Sequence, residues 1–388
     1  MFEPYEKAAL AALEDFLSRA GREYAASRNT DTGPGDRKNV SQLSPWVRTR
    51  LLPEWTIIKR VLERHSPTSA GKFIDEVCWR TYWKGWLQLR PEVWEDYLNE
   101  HKRRLAEWAD KEVYASTIAG QSGIECMDAW TRELIETGYL HNHARMWYAS
   151  IWIHTLKLPW TLGAAFFLTH LLDGDPAANT LSWRWVAGLH TAGKTYLARP
   201  GNIRKYTNDR FAVDEPLAAI ASVPEASPLP SRRVLPELQA PPPKAKLGLL
   251  VQEDDLNALT WITEQFDIRA VAGLFPRDTY QTHAIADKVV DFRHACMKNV
   301  LPQGAPCFES VGEAANWAEA EALDAVIMAE VPVGLWNTPM NELKIELKQR
   351  EMDLYYVRHW WDATLHPHAQ AGFFRFKKAI PEALSKLA

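Results

Sequence analysis

The sequence has few of the features that would place it in a membrane, in an oxidising compartment or among phosphate-loop enzymes. No apolar run reaches the roughly 18 residues of a membrane span, and the N-terminus is acidic and amphipathic where a secretory leader would be basic. The four cysteines, Cys78, Cys126, Cys296 and Cys307, form no CxxC pair, which favours free thiols over a disulfide framework or a metal site. Neither GxGxxG nor a P-loop motif occurs. We therefore expect a cytoplasmic protein without a metal.

The composition is that of an ordinary globular protein with an unusual amount of tryptophan. The chain has 388 residues, of which 46% are hydrophobic and 24% charged, and this length suggests two or three domains. Residues 1–212 hold 28 basic and 25 acidic residues, and 13 of the 18 tryptophans. The slight positive balance permits nucleic-acid binding without requiring it. The tryptophans fit either a helical core or a set of stacking and electron-transfer groups.

The residue pattern divides the chain into three parts. Residues 1–212 carry apolar residues at helical spacing, and residues 213–246 form a linker rich in proline and alanine. Residues 247–388 alternate short apolar strands with helices. The strands are predicted at LGLLV, AVAGLF, LDAVIMA and DLYYV, with CFES as a possible fifth. This alternation predicts a doubly wound, Rossmann-like parallel sheet.

Two short segments of the first part combine residue types that carry chemistry. Glu76, Trp79 and Arg80 stand at i, i+3 and i+4, so a carboxylate, an indole and a guanidinium share a helix face. A surface ion pair beside a core tryptophan would give the same pattern. Ser44-Pro45 is typical of a helix start, which is either an ordinary cap or a site suited to a pyrophosphate.

The densest segment runs from residue 137 to residue 188. It contains TGYLHNHARMWYASIWI, then LPW, then LLDGDPAANTLSWRWVAG, and the first of these places Asn142, Arg145 and Met146 on one helix face. In residues and spacing this stretch resembles the flavin-binding domain of the photolyase and cryptochrome family. The resemblance covers roughly residues 20–210. It implies an all-helical FAD-binding domain over residues 1–212 and an α/β antenna-like domain over residues 247–388.

The resemblance also implies a cofactor site. Arg145 would pair with Asp173, and Asn179 would face the flavin N5 atom with a neutral amide, which is the photolyase-like choice. Val40 and Phe73 depart from the family pattern. Val40 lacks a hydroxyl that would contact the cofactor, and Phe73 lacks a side-chain hydrogen-bond donor. The cofactor-binding positions carried over are Tyr24, Ser41, Gln42, Leu43, Ser44, Phe73, Arg80, Arg145, Asp173, Asp175 and Asn179.

A base pocket and an electron relay follow from the same resemblance. The pocket would hold a damaged base between two tryptophans and several polar or thioether contacts: Glu76, Trp79, Asn142, Met146 and Trp185. The relay would carry an electron to the flavin through Trp183 and Trp160, with Trp108 as a surface member placed by spacing alone. His143 stands where an arginine is usual, which weakens one substrate contact.

The function implied is light-dependent repair of cyclobutane pyrimidine dimers in DNA by reduced FAD. The alternative is a cryptochrome-like blue-light receptor that signals to a protein partner. We expect a monomer that acts on dimer-containing DNA and does not bind membranes. In the family the α/β domain ordinarily precedes the flavin domain, so its position here implies a domain-order swap. The α/β part either holds a second pigment, a folate or a deazaflavin, or is purely structural.

Overall fold

The first half of the chain is built only from helices. The computed structural model describes residues 2–191, 193–225 and 228–387. A π-helical turn, Ile151–Thr155, joins α9 to the segment before α10. The helices are α1 Glu6–Leu17, α2 Arg22–Ser27, α3 Ser44–Arg48, α4 Glu54–Leu62, α5 Pro67–Gln88, α6 Glu92–Trp108, α7 Glu112–Ile118, α8 Glu125–Thr137, α9 Asn142–Ser150, α10 Trp160–His170, α11 Pro176–Val186 and α12 Pro200–Tyr206.

Local sequence signals set the ends of the helices that frame the densest segment. Gly138 ends α8 in the left-handed conformation, at φ 69°, which glycine adopts without steric cost. Asp175 caps α11 by accepting a hydrogen bond from the Ala178 amide, and Pro176 follows at the first helical position. α10 is apolar on nearly all sides, and it is correspondingly buried in the core. The segment from α9 to α11 therefore lies inside the helical half.

The second half contains a parallel sheet of five strands in the order β3-β2-β1-β4-β5. Its central strands β1 and β4 are fully buried and carry runs of apolar residues, as expected for a parallel sheet covered on both faces. The elements are β1 Leu247–Val251, α13 Ala258–Thr263, β2 Ile268–Leu274, α14 Arg277–Thr282, α15 Asp287–Val300, β3 Cys307–Phe308, α16 Val311–Ala320, β4 Ala325–Ala329, α17 Asn337–Gln349, β5 Asp353–Val357, α18 Trp360–Leu365, α19 Phe373–Phe376 and α20 Ile380–Ser385.

The helical half and the parallel sheet are confirmed, while the doubly wound arrangement and the domain order stay predictions. Helical spacing of apolar residues predicts one helix over residues 3–28 and another over residues 280–300, and both predictions are wrong as single elements. The helix expected over 3–28 is broken between α1 and α2, and the one expected over 280–300 ends at residue 282 and resumes at 287. In the second case an αL residue, Ala284 at φ 51°, interrupts the helical backbone.

The linker has no helix or strand in its described residues, 213–225 and 228–246. It is nevertheless held against the helical half. The Arg233 amide donates to the Leu89 carbonyl over 2.8 Å, and the Arg233 side chain pairs with Glu92. In the described residues no helix is both long and apolar enough to cross a bilayer.

Buried ion pairs join the two halves. The segment after β1 carries Glu253, Asp254 and Asp255, which meet two arginines from the region of α3. Arg48 donates to Glu253 over 3.0 Å and to Asp254 over 2.6 Å, and Arg50 donates to Asp255 over 3.0 Å. All of these groups are buried, so the ion pairs fix the end of β1 beside the helical half.

Candidate functional site

Arg145 and Asp173 form a bidentate ion pair next to the start of α9. The Arg145 Nη1 and Nη2 atoms donate to the two carboxylate oxygens of Asp173 over 3.0 and 2.8 Å. Arg145 Nε also donates to the Leu140 carbonyl over 2.8 Å. Two parallel N–H···O bonds fix the plane of both groups. The pairing expected from the resemblance is therefore present, and its role toward a cofactor stays a prediction.

Asp175 lies at the centre of a group of buried cations. Its Oδ1 accepts from the Ala178 amide over 2.9 Å, while Arg80 and Lys84 both stand 3.8 Å from Oδ2. Burial would raise the pKa of Asp175, but Lys84, Arg80 and Arg48 outweigh it and lower the pKa to about 2. The carboxylate is thus ionised at neutral pH. Within the described residues its Oδ2 atom is buried and accepts no hydrogen bond.

Asn179 follows Asp175 by one turn of α11, and one end of its amide is fixed. Its side chain lies 2.7 Å from the Ala164 carbonyl oxygen. Since a carbonyl only accepts hydrogen bonds, the atom facing it must be the amide nitrogen, Nδ2. The Oδ1 atom has no hydrogen-bond partner among the described residues. Asn179 therefore presents a neutral acceptor on the face of α11 that also carries Trp183.

An aromatic and acidic corner forms where α2 meets α5. The rings of Tyr24 and Phe73 meet edge to face with their centroids 5.1 Å apart, and both residues are buried. Arg28 reaches Glu76 across the same corner, with 3.5 Å between Nε and Oε1. Burial raises the pKa of Glu76, and Arg28 opposes this shift only in part. Glu76 can therefore hold a proton at higher pH than an exposed glutamate.

The loop before α3 brings Ser41, Gln42, Leu43 and Ser44 together. Gln42 has φ 53°, a left-handed conformation that turns the chain sharply. Leu43 is buried, and the other three are half-buried. α3 itself has only five residues and no side-chain cap at its N-terminus. The loop thus presents its hydroxyl and amide groups at the surface of the helical half.

The five expected pocket residues lie in two groups. On α5, Trp79 is one turn from Glu76 and stacks on Phe373 of α19, with ring centroids 3.9 Å apart and planes 11° apart. The other group lies on α9 and α11, where Trp185 stacks on Tyr196 at 5.7 Å. Exposed Asn142 and half-buried Met146 lie on α9. Trp79 and Trp185 thus each have a ring partner from this chain.

His143 lies beside the second group. Its Nδ1 is 2.8 Å from the Asn29 carbonyl, so that nitrogen carries the proton. Its ring stacks on Trp147 at 4.1 Å, and burial lowers the pKa of His143. This neutral ring does not replace the charge of the arginine that is usual at this position.

The three expected relay tryptophans differ in their surroundings. Trp183 is buried on α11, and its ring contacts are Tyr148, Trp152 and Phe167. Trp160 is buried at the start of α10, with its ring 5.7 Å from Tyr97. Trp108 is half-buried at the end of α6. The structure brings none of these three indoles into ring contact with another of the three.

Known proteins match the helical half of this chain. The family model described as the FAD-binding domain of DNA photolyase matches residues 73–254. The deoxyribodipyrimidine photo-lyase of Thermus thermophilus is 34% identical over 198 residues, covering 50% of this chain and 45% of the relative. The Escherichia coli enzyme of the same name is 30% identical over 206 residues, covering 50% and 42%. Residues 73–254 of this chain thus match the FAD-binding domain of DNA photolyases.

Solved structures of photolyases and cryptochromes also align with the chain. A class III photolyase from Agrobacterium tumefaciens gives a TM-score of 0.46 at 27% identity, covering 53% of this chain and 43% of that one. A cryptochrome from Synechocystis gives 0.46 at 26% identity, with the same coverage. The matches span less than half the length of these photolyases and of the cryptochrome.

The cofactor of this domain is FAD, and the residues of the helical half fit it. Asp175 Oδ2 is a buried acceptor without a donor, and Asn179 Oδ1 is a second free acceptor on the same helix. A flavin ring system and its ribityl chain carry the N–H and O–H donors that such atoms need. Tyr24 and Phe73 supply aromatic surface, and Gln42 belongs to the loop expected at the phosphates.

Several residues around this site were not singled out from the sequence. Lys84 lies one turn beyond Arg80 on α5, and the i, i+4 spacing of these cations was the available signal. Phe373 had no local signal, because its contact with Trp79 joins the two halves. Asn202 of α12 accepts a hydrogen bond from Trp147 Nε1 over 3.0 Å. That bond ties α12 to α9.

Proposed function

We propose that this protein repairs cyclobutane pyrimidine dimers in DNA, using light and FAD bound in its helical half. The observation that carries the proposal is the orientation of Asn179. Its amide nitrogen donates to Ala164, so Oδ1 would meet the cofactor as an acceptor. An acceptor at flavin N5 favours the forms that carry N5–H, which are the neutral radical and the fully reduced flavin. When bound, reduced FAD supplies, under blue or near-UV light, the electron that opens the dimer.

The charges around Asp175 compensate one another. Asp175 is ionised, and the buried cations Lys84 and Arg80 lie beside it. Arg80 also pairs with Glu54, and Lys84 lies 3.5 Å from Asp254. The bidentate pair of Arg145 with Asp173 holds the α9 end of the site rigid. These groups orient the cofactor and need no rearrangement when light is absorbed.

The damaged base would have to leave the duplex to reach this site. Glu76 is the group best placed to meet its carbonyls. Burial raises the pKa of Glu76 and so enlarges the protonated fraction, which can donate a hydrogen bond to a pyrimidine carbonyl; that bond strengthens as negative charge develops on the carbonyl. Asn142 and Trp185 offer an exposed amide and a half-buried indole from the other helices.

A repair assay tests the proposal. Purified full-length protein, loaded with FAD and chemically reduced, is mixed with a single-stranded oligonucleotide that contains one dimer. We expect loss of the dimer under blue light and none in the dark. The same assay compares Asn179→Asp with a matched control, Asn202→Asp, which keeps the acceptor that Trp147 needs. Full flavin occupancy without any light-dependent repair would contradict the proposal.

A second candidate function is a blue-light receptor of the cryptochrome type. The specific observation in its favour is the stack of Phe373 on Trp79, because it covers an indole face that repair would assign to a base. The neighbouring Phe374 is 83% exposed. Phe373→Ala distinguishes the two functions. If the protein repairs DNA, Phe373→Ala should raise or preserve its affinity for dimer-containing DNA. If the protein is a receptor, neither the wild type nor the variant should bind such DNA.

A further inference from the structure

We infer that a second electron route leaves Trp183, through Trp152 to Tyr114, beside the route expected through Trp160. The inference rests on the proposed function, because it needs photoexcited FAD as the electron acceptor. Trp152 and Tyr114 have no role in the expected relay. They are assigned here from the contacts of this chain alone.

Trp152 is in direct ring contact with Trp183. The two indoles meet edge to face, with centroids 6.1 Å apart and planes 87° apart. The contact depends on Gly163 of α10. A Cβ atom at that position would lie 2.3 Å from Trp183 Cη2 and 3.0 Å from Trp152 Cε2. The absence of a side chain at Gly163 thus lets both indoles meet over the backbone of α10.

Trp152 occupies the π-helical turn, Ile151–Thr155. Such turns inside helices are frequent at functional sites, since they redirect a side chain at a cost in backbone geometry. Trp152 is fully buried, and its Nε1 donates to the Pro159 carbonyl over 2.9 Å. The negative end of that carbonyl dipole stabilises positive charge on the indole. Oxidation of Trp152 is therefore easier than for a buried indole without an acceptor.

Tyr114 gives this route an exit to water. Its ring meets Trp152 edge to face at 6.1 Å and 88°, and Tyr114 is half-buried on α7. Burial raises the pKa of Tyr114, so the phenol is protonated at neutral pH. Tyr148 also contacts Trp152, at 6.0 Å, but it is fully buried with its hydroxyl 3.1 Å from Thr131 Oγ1. Only Tyr114 of these two can lose a proton directly to solvent.

The two outer indoles of the expected route, Trp160 and Trp108, each lie beside a positively charged side chain. The Arg184 guanidinium lies 5.8 Å from the Trp160 ring centroid, and the Lys111 ammonium lies 4.2 Å from that of Trp108. A cation over an indole is attracted to its electron density. Removal of an electron turns that attraction into repulsion, so oxidation of Trp160 and Trp108 is disfavoured relative to Trp152.

The transfer balances in three one-electron steps. One electron passes from Trp183 to the photoexcited flavin, and Trp152 then reduces the Trp183 radical cation. Tyr114 reduces the Trp152 radical cation and releases its phenolic proton to water. The flavin has gained one electron, and Tyr114 is left as a neutral phenoxyl radical. A thiol in solution returns a hydrogen atom to it.

Photoreduction rates of the FAD-loaded full chain test the route. The protein is oxidised, given a thiol and illuminated with blue light, with bound flavin checked by absorbance. We expect Trp160→Phe to keep the rate within about threefold of wild type, and Trp160→Phe with Trp152→Phe to lower it by about tenfold or more. Loss of photoreduction in Trp160→Phe alone would overturn the inference.

The identity of the terminal radical is the second readout. Illuminated Trp160→Phe, frozen without thiol, should show a tyrosyl radical by electron paramagnetic resonance. The signal should vanish when Tyr114→Phe is added and persist with the matched control Tyr148→Phe. A signal that survives Tyr114→Phe would overturn the route. A wild type that binds FAD but is not photoreduced overturns it too, while repair by chemically reduced protein tests the proposed function separately.

Discussion

Replacement of Arg48 by methionine removes one of the buried cations that hold the two halves of the chain together. Arg48 Nη1 donates to Asp254 over 2.6 Å and Nη2 to Glu253 over 3.0 Å. Its Nε donates to the Gly174 carbonyl over 2.9 Å, directly before Asp175. All three side chains are buried. The substitution therefore leaves two carboxylates without their nearest cation, while the Gly174 carbonyl keeps Arg293 Nη2 as a donor at 2.7 Å.

The size of the effect follows from what remains after the cation is gone. Removal of one partner from a buried ion pair typically costs about 3–5 kcal/mol, because the other charge stays buried and unpaired. Glu253 keeps Arg293 at 3.5 Å and Asp254 keeps Lys84 at 3.5 Å, so the second carboxylate adds little. We expect the free energy of unfolding to fall by about 3–5 kcal/mol.

Chemical denaturation of the full chain measures this loss, followed by tryptophan fluorescence and by far-UV circular dichroism. The matched control is Arg103→Met, which removes an exposed cation paired with Glu100 on α6. Exposed ion pairs contribute about 0–1 kcal/mol. A loss below about 1 kcal/mol in Arg48→Met, equal to the control, would refute the view that these ion pairs hold the halves together.

Two further predictions concern the site itself. Asn179→Asp loses the donor to Ala164, and a buried aspartate at this position regains a donor only when it is protonated. Because the pKa of that aspartate is raised, the stability of the variant should fall as pH rises, by about 1–3 kcal/mol in urea denaturation at neutral pH. An equal loss of stability in Asn202→Asp would contradict the reasoning. For Glu76, whose pKa is raised, the repair rate should fall as pH rises above the ordinary carboxyl range, because the neutral acid is the donor. Glu76→Gln should make the profile flat, and a wild-type profile that is already flat would refute this role.

Sequence patterns predicted the parts of the structure that depend on neighbours along the chain. The end of α8 at Gly138 follows from the preference of glycine for the left-handed position after a helix. The pairing of Arg145 with Asp173 came from the family resemblance rather than from periodicity. The apolar strands β1 and β5 were recognised because buried strands are short and bounded by turn residues.

Contacts between distant segments could not be predicted in this way. Nothing around Arg48 indicates that its partners, Glu253 and Asp254, lie some two hundred residues later, beyond the linker. The same holds for Lys84, whose neighbours Asp175 and Asp254 come from two different segments. Helical spacing shows which residues share a face, but it does not show which surface that face meets.

The stack of Phe373 on Trp79 restricts how a damaged base could enter the pocket. Exposure of a buried phenylalanine costs about 1.5–3 kcal/mol, and loss of an aromatic pair adds about 0.5–1.5 kcal/mol. Base stacking on an aromatic side chain returns about 1–3 kcal/mol, so a base gains little by displacing Phe373.

The segment around Phe373 is also fixed to α5 on either side of Trp79. Lys377 pairs with Asp75 over 2.6 Å, and Tyr82 donates to the Ala371 carbonyl over 2.8 Å. Displacement of Phe373 would therefore strain or break these contacts as well. We therefore predict that a base approaches from α9 and α11, past Asn142 and Trp185, with Phe373 left in place behind Trp79.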